Sequence, residues 1–172
     1  MTQGIRPELA DDAPAIRALQ LAAFAPSRLE ADIVDGLRAD GDLVRSLVAV
    51  QDGELAGHVA ISRAQVAPPD GAPVEVLALG PIGVLPERQG RGLGSALMRA
   101  TLAAAAATPW PLIALLGHAE YYPRFGFEPA GALGLDCPYP AAPEHWMAYR
   151  LPAYDAALRG AFRYAPAFDR AT

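Results

Sequence analysis

The sequence contains a single cysteine, Cys137, among its 172 residues. A disulfide framework within the chain is therefore impossible, and a reducing cytoplasm fits this composition best. Cys137 lies in a proline-flanked, loop-like stretch, which does not favour a catalytic thiol. The first residues lack the apolar stretch of a signal peptide, and no uninterrupted apolar run is long enough to cross a bilayer. We therefore expect a cytoplasmic protein with no membrane partner.

Basic residues are outnumbered by acidic ones. Lys and Arg total 14 and Asp and Glu total 19, which gives a formal net charge of -5. This balance argues against charge-driven binding of nucleic acid, but it allows a small local anion site. Apolar residues make up 52% of the chain, so a substantial core can form. The length fits one ordinary domain spanning residues 1–172.

Hydrophobic periodicity predicts two helices near the start of the chain. The first follows Asp11 and Asp12 and has Pro14 in its first turn; the second is opened by a capping box at 27–30. Three strands come next, with the dipeptide Asp52-Gly53 as a hairpin turn between the first two. The predicted strands cover residues 43–50, 55–66 and 74–84. A helix over residues 92–107 and a strand over 110–116 follow. The last predicted elements are a short helix or turn at 119–125, a β region from residue 127 onward and a strand at 145–151.

This order of elements predicts the fold class. Strands that alternate with helices indicate an α/β (α+β) fold, with a mixed sheet and at least one strand–helix–strand crossover. His58 and His145 fall within strand patterns, where hydrogen-bonded structural histidines are the more ordinary interpretation. The tail, residues 154–172, shows only a short helical patch before Pro166 and is otherwise unassigned.

The stretch of residues 79–96 carries the strongest chemical signal. A strand ends at Val84, a basic loop containing Gly90, Gly92 and Gly94 follows, and a helix then begins. Backbone N–H groups in such a loop and at the helix N-terminus have no internal partner, and the helix dipole adds positive potential. Glycine lets phosphate oxygens approach these amides closely. The segment therefore predicts an anion site that suits a pyrophosphate.

Two familiar phosphate-binding patterns do not match this loop. A P-loop requires Gly-Lys-Ser/Thr, which is absent here. The dinucleotide fingerprint requires glycine at its sixth place, which is Ser95 when counted from Gly90. The stretch about twenty residues further on also lacks an acidic residue at the end of a strand. A nucleotide-dependent oxidoreductase is therefore disfavoured.

The pattern Gln89-x-x-Gly92-x-Gly94, preceded by Val84-x-Pro86, resembles the acyl-CoA-binding signature of the GCN5-related N-acetyltransferase (GNAT) superfamily. A second segment, residues 120–127, resembles the later motif of the same family, because Tyr122 stands four residues before a Gly-Phe pair. The phrase at 117–127 looks like a bacterial predicted-acetyltransferase branch of the superfamily. One helix and one strand separate the two motifs, as in the family. The resemblance covers roughly residues 4–130.

The resemblance implies a fold, a cofactor and a set of binding residues. The fold would be a mixed, mostly antiparallel central sheet with helices on both faces. Acetyl-CoA would be the acyl donor, and no metal would be needed. A homodimer would be possible, because dimers are common in the family. The pantetheine arm would pair with backbone groups of Ile82 and Val84. The remaining cofactor-binding positions would be Arg88, Gln89, Gly90, Arg91, Gly92, Leu93, Gly94, Ser95, Tyr122 and Arg124.

The same resemblance implies direct transfer of an acetyl group to an amine. Tyr122 matches the family position of the acid that protonates the leaving thiolate, and a phenol is protonated at neutral pH. The attacking amine must lose a proton, so Glu75 or His118 are candidate bases, and water alone is a third option. The acceptor, a small molecule or a protein, is not readable from the sequence.

Two alternatives stay open at this stage. The chain can be an acetyltransferase, or an acyl-CoA-binding module that has lost catalysis and acts as a sensor or partner domain. Retention of Tyr122 favours the enzyme.

One departure from the family pattern concerns the strand before the tyrosine segment, where many relatives carry an asparagine that contacts the cofactor. Gly117 and His118 occupy that region here.

Overall fold

The computed structural model describes residues 3–171. These residues form nine strands: β1 (Gln3–Pro7), β2 (Leu43–Gln51), β3 (Glu54–Ala67), β4 (Val74–Val84), β5 (Leu112–Leu116), β6 (Glu128–Pro129), β7 (Leu135–Asp136), β8 (Trp146–Arg150) and β9 (Gly160–Tyr164). They also form four α-helices: α1 (Ala13–Ala23), α2 (Leu29–Asp40), α3 (Leu93–Ala106) and α4 (Pro166–Arg170). Short 3-10 turns connect several of them. None of the helices within residues 3–171 is long and apolar enough to cross a membrane.

The turn between β2 and β3 shows how local sequence sets the geometry. Asp52 and Gly53 have φ angles of 54° and 80°, and Gln51 pairs with Glu54 on either side of them. Two successive residues with positive φ match the right-handed twist of the strands, and an Asp-Gly pair is well suited to adopt them. The predicted hairpin is confirmed.

Residue contacts divide the chain into two compact units, the first made of residues 1–62, 80–102 and 165–172. In its described part, α1 and α2 pack on β2 and β3 through Ile16, Val34, Val48 and Ala60. A second cluster joins α2 to the α4 region.

The other face of β3 in this unit is covered by α3. A Cβ added at Gly57 would lie 2.9 Å from Leu97 Cδ1. Gly57 stands three residues before Ala60, so the two residues point to opposite faces of the strand. The helices α1 and α3 therefore lie on opposite faces, and the predicted placement of helices on both faces is confirmed.

The second unit consists of residues 63–79 and 103–164. Here the first half of β4 pairs in parallel with β5, and β5 pairs antiparallel with β8. Its core includes Trp146, whose ring meets Phe162 edge to face at 4.9 Å and whose indole N–H donates to Leu135 O at 3.0 Å. This hydrogen bond satisfies the one polar group of a buried tryptophan.

The strands belong to one nine-stranded sheet with the order β1-β2-β3-β4-β5-β8-β6, and β9 pairs with β3 and β7. The pairs β4–β5 and β7–β9 are parallel, whereas β1–β2, β2–β3, β3–β9, β5–β8 and β6–β8 are antiparallel. The predicted mixed α/β (α+β), mostly antiparallel sheet is confirmed. The expectation of a single domain over residues 1–172 stays a prediction.

Some predicted elements were wrong or missing. The strands β1 and β9 were not predicted, and the tail helix α4 begins at Pro166 rather than before it. The β region from Phe127 contains only the two-residue strands β6 and β7. His145 is exposed and lies in a 3-10 turn before β8, not within the strand. At the start of α2, Ser27 Oγ donates to the Glu30 carboxylate at 2.7 Å and accepts from Leu29 N, a variant of the predicted capping box.

Candidate active site

The N-terminus of α3 presents backbone N–H groups without helical partners. The first helical hydrogen bond runs from Ala96 N to Gly92 O at 3.0 Å. The N–H groups of Leu93, Gly94 and Ser95 come before this bond, so they have no acceptor inside the helix. They also lie at the positive end of the helix dipole. This geometry suits an anion such as a phosphate group.

Two glycines give the preceding loop its shape. Gly90 has a φ of 74° and Gly92 a φ of 82°, a left-handed conformation that residues with a side chain rarely adopt. A Cβ added at either position would meet no heavy atom within 4 Å. The glycines are therefore needed for the backbone conformation and not to avoid a clash. The space above both residues is open to a ligand.

Side chains of the loop connect it to its surroundings in different ways. Gln89 Nε2 donates to Val84 O at 3.1 Å and so fastens the loop to the end of β4. Arg88 donates to Gln51 Oε1 at 2.6 Å and has Glu54 Oε2 at 3.5 Å. The positive charge of Arg88 is thus directed at the β2–β3 hairpin. Arg91 is exposed and makes no ion pair within residues 3–171. The phosphate roles of Arg88 and Arg91 stay predictions.

One edge of β4 is open near its C-terminal end. Pairing with β5 is described at Leu77 and Ala78 and at no later residue of β4. On the other edge, Leu85 N donates to Ala56 O at 2.9 Å. Peptide groups of successive residues point to opposite edges of a strand. The backbone groups of the even-numbered residues, which are Ile82 and Val84, therefore point to the open edge, where an extended ligand can pair with them.

The end of α1 packs closely against Gly83. A Cβ added at Gly83 would lie 2.9 Å from Gln20 Oε1 and 3.0 Å from Ala23 Cβ. Gln20 is fully buried, and its Nε2 lies 2.8 Å from Nδ1 of His58. Nε2 of His58 lies 2.8 Å from Ser46 Oγ. Glycine is therefore required at position 83 if α1 is to support the strand at this distance.

His58 is an uncharged structural residue within this network. Burial, and then the positive charge of Arg38, lower the pKa of His58 to about 3. The ring is therefore neutral at physiological pH, and both of its nitrogens have hydrogen-bond partners. The prediction of a hydrogen-bonded structural histidine is confirmed for His58.

Tyr122 lies in the second unit, within an aromatic cluster. Its ring meets Tyr121 at 5.0 Å and Phe127 at 5.9 Å between centroids, both nearly edge to face. Only 8% of the residue is exposed. Burial raises the pKa of Tyr122 to about 12, so the phenol is protonated at physiological pH. Within the described part of the chain the hydroxyl has no hydrogen-bond partner, which leaves it available to a ligand.

Gly117 leaves the space in which the Tyr122 ring lies. A Cβ added at Gly117 would lie 2.4 Å from Tyr122 Cε2 and 3.0 Å from Cδ2. Real carbon–carbon contacts are about 3.5–4.0 Å. A side chain at position 117 is therefore incompatible with the present place of the ring.

The other predicted residues of the second unit lie at its surface. His118, Tyr121 and Arg124 line an open pocket of about 600 Å³, together with Glu120, Glu144 and His145. The guanidinium of Arg124 lies 4.7 Å from the centre of the Tyr121 ring and its Nε donates to Tyr121 O at 2.9 Å. His118 is exposed. Arg124 therefore stiffens the aromatic segment, and its contact with the cofactor stays a prediction.

Glu75 lies near the start of β4 in an ion pair with Arg63. The side chains of Glu75 and Arg63 are 41% and 50% exposed, so solvent weakens this pair. The base role of Glu75 stays a prediction. No cluster of three or more metal-ligating side chains occurs within residues 3–171.

The open edge of β4 leads towards the glycine loop and the α3 N-terminus. Such an arrangement suits a ligand that combines an extended arm able to pair with backbone groups and a phosphate group. Comparison with known proteins agrees with this description. The family model of the acetyltransferase (GNAT) domain matches residues 4–130.

Relatives of known name and structure cover nearly the whole chain. The Escherichia coli K12 N-acetyltransferase YjhQ is 38% identical over an alignment of 160 residues, and the match covers 90% of this chain and 87% of YjhQ. The crystal structure of E. coli YhbS in complex with CoA has a TM-score of 0.89 at 33% identity, covering 98% of this chain and 92% of that chain. A GNAT family acetyltransferase of Brucella melitensis, in complex with acetyl-CoA, has a TM-score of 0.79 at 34% identity, covering 98% and 99%.

The chain belongs to the GNAT family of N-acetyltransferases and is an acyltransferase. The sequence indicated the glycine loop and Tyr122 but gave no role to Gln20 or Gly83. His145 was interpreted as a hydrogen-bonded structural histidine, and Gly117 was noted because, with His118, it occupies the region where many members of the resembled family carry an asparagine. Gln20 and Gly83 had no signal, because their importance depends on a contact between distant parts of the sequence.

Proposed function

We propose that this enzyme transfers the acetyl group of acetyl-CoA to a primary amine of a small molecule or a protein, by direct attack in a ternary complex. The open edge of β4 beside the glycine loop is the observation that carries the proposal. YhbS and the Brucella melitensis enzyme, solved with CoA and acetyl-CoA, support the same cofactor.

In the first unit, the proposal assigns the phosphates and the pantetheine arm of that cofactor to backbone groups. The pyrophosphate would accept hydrogen bonds from the amides of the loop and of Leu93, Gly94 and Ser95. The pantetheine arm would pair with the outward backbone groups of Ile82 and Val84, as an added strand does. Gln89 contributes by holding the loop to Val84 O.

The chain's own groups account for the remaining chemical requirements. Acetyl-CoA supplies the activated thioester. A backbone N–H on the open edge of β4 would stabilise the negative charge that grows on the carbonyl oxygen. Tyr122 would donate a hydrogen bond to the departing sulfur. Its pKa of about 12 exceeds the usual thiol value of about 8.5, so Tyr122 would stabilise the departing thiolate by donating a hydrogen bond and would keep its own proton.

The acceptor amine must reach the thioester in its neutral form, because an ordinary alkylamine has a pKa near 10.4. His118 is proposed as one candidate base, since its exposed ring lines the pocket beside Tyr121. Glu75 is the other, and its carboxylate is paired with Arg63. Water can also take the proton, in which case neither residue is required.

Calorimetric titration with acetyl-CoA tests the cofactor, with NAD and ATP as control ligands. The informative variant is Gly92→Glu, which places bulk and negative charge beside the proposed pyrophosphate. Gly41→Glu is the matched control, because Gly41 has a similar φ of 76° and open space around it. We expect micromolar binding in the parent and in the control, and no detectable binding in Gly92→Glu. Equal binding by both variants would show that the loop is not the phosphate site.

A further inference from the structure

The ladder between β5 and β8 is extended by one residue through a histidine side chain. The last strand pair is Leu116 with Trp146, and the next residues along are Gly117 and His145. Gly117 N donates to His145 O at 3.0 Å. The N–H of His145 is occupied by Ala142 O, also at 3.0 Å. Its imidazole Nδ1 lies 2.9 Å from Gly117 O instead.

The imidazole therefore does what a backbone N–H would do in a regular ladder. A carbonyl oxygen can only accept, so Nδ1 carries the hydrogen in this bond. The result is a reciprocal pair in which both polar groups of Gly117 are bonded to one residue. Gly117 lies just beyond the end of β5, where a residue without these two hydrogen bonds would be less restrained.

That restraint bears directly on Tyr122. The Tyr122 ring fills the space where a side chain of residue 117 would be, 2.4 Å from the Cβ position. Tyr121 and Phe127 meet the same ring. The backbone of Gly117 thus forms one wall of the ring's site, and a movement of this wall changes where the phenol points.

We propose that His145 is a positioning residue, which orients Tyr122 by clamping Gly117. The inference rests on the proposed function for its effect on turnover, because Tyr122 is the proposed hydrogen-bond donor to the departing sulfur. His145 is not a catalytic group in this account, since it acts through Gly117 and through the ring that packs on it.

A double-mutant cycle tests the proposal. His145→Ala removes the hydrogen bond to Gly117 O, whereas His145→Asn has an amide that can donate from a similar position. Each substitution is made both in the parent protein and in the Tyr122→Phe variant. Turnover is measured as thiol release from acetyl-CoA with spermidine, kanamycin and a lysine-containing peptide as acceptors. We expect His145→Ala to lower kcat about ten-fold, a moderate misplacement effect, with KM for acetyl-CoA within about twofold. His145→Asn restores most of the rate.

The cycle separates positioning from a general loss of structure. If His145 acts through Tyr122, His145→Ala has little further effect once Tyr122 is phenylalanine. The same fold loss in both backgrounds, or His145→Asn as slow as His145→Ala, would overturn the proposal.

A second readout does not depend on turnover. NMR of protein with labelled tyrosine records the ring signals of Tyr122, which are assigned by their absence in Tyr122→Phe. These signals should shift in His145→Ala and stay in place in His145→Asn. Unchanged signals in His145→Ala would overturn the clamp. If the parent acetylates none of the amines, the support for the proposed function weakens, and the NMR comparison still decides whether His145 positions Tyr122.

Discussion

Replacing Gly117 with alanine is expected to displace the ring of Tyr122. The new methyl carbon would lie 2.4 Å from Tyr122 Cε2 and 3.2 Å from Leu115 Cδ1. A normal contact of about 3.7 Å requires the ring to move by about 1.3 Å. Overpacking of this kind costs about 1–3 kcal/mol of stability. A misplacement of about 1 Å near the reacting atoms can cost about a hundred-fold in rate.

The assay combines turnover with denaturation. Thiol release from acetyl-CoA should fall about a hundred-fold in Gly117→Ala, while calorimetry shows acetyl-CoA affinity within about threefold of the parent. The free energy of unfolding in urea should fall by about 1–3 kcal/mol. The matched control is Gly131→Ala, because a Cβ there meets no atom within 4 Å. That substitution should change stability by less than about 0.5 kcal/mol.

The outcome that refutes this reasoning is a Gly117→Ala enzyme with turnover close to that of the parent. It would mean either that the ring has room to move without consequence or that Tyr122 is not used in the reaction. Comparison with the Tyr122→Phe variant separates these two explanations.

The remaining predictions concern Tyr122 and His58. Tyr122→Phe should lower turnover by about ten- to a thousand-fold with little change in acetyl-CoA affinity. Burial raises the pKa of Tyr122 to about 12, so the phenol keeps its proton up to pH 10. The ratio of parent turnover to Tyr122→Phe turnover should therefore stay constant from pH 7 to pH 10. If the turnover rates of parent and variant converged by pH 10, the proposed role of Tyr122 would be contradicted. The pKa of His58 falls from 6.5 to about 3 on folding, so the unfolded state takes up the proton first as pH falls. The free energy of unfolding should drop by about 2 kcal/mol from pH 7 to pH 5, and His58→Gln should lose that part of the pH dependence.

The sequence predicts the elements with strong local patterns. The helices α1, α2 and α3 and the strands β2 to β5 and β8 lie close to their predicted positions, because each has an apolar period of its own. The strand β9 was missed although Phe162 is buried between exposed Ala161 and Arg163. It pairs with residues 64–67, almost a hundred positions earlier. Such long-range pairing leaves no local trace beyond a weak alternation.

The candidate site likewise has a part that could be predicted from the sequence and a part that could not. The glycine loop could be predicted because its backbone conformation requires glycine at positions 90 and 92, and this requirement is visible in the residue types. The support of Gly83 by α1 and the clamp of Gly117 by His145 are contacts between segments far apart in the chain. Neither contact imposes a local pattern, so each is visible only once the fold is known.

Gly117 links the end of β5 to the place of the Tyr122 ring. The residue has no side chain, and the ring fills the space that a Cβ would take, with Cε2 at 2.4 Å from that position. The imidazole of His145 donates to Gly117 O at 2.9 Å and supplies the hydrogen bond that a regular strand pair would give there. Under the proposed function, the absence of a side chain at position 117 and the place of Tyr122 are therefore coupled. A side chain introduced at position 117 would displace the ring, whatever polar group it offered to a ligand.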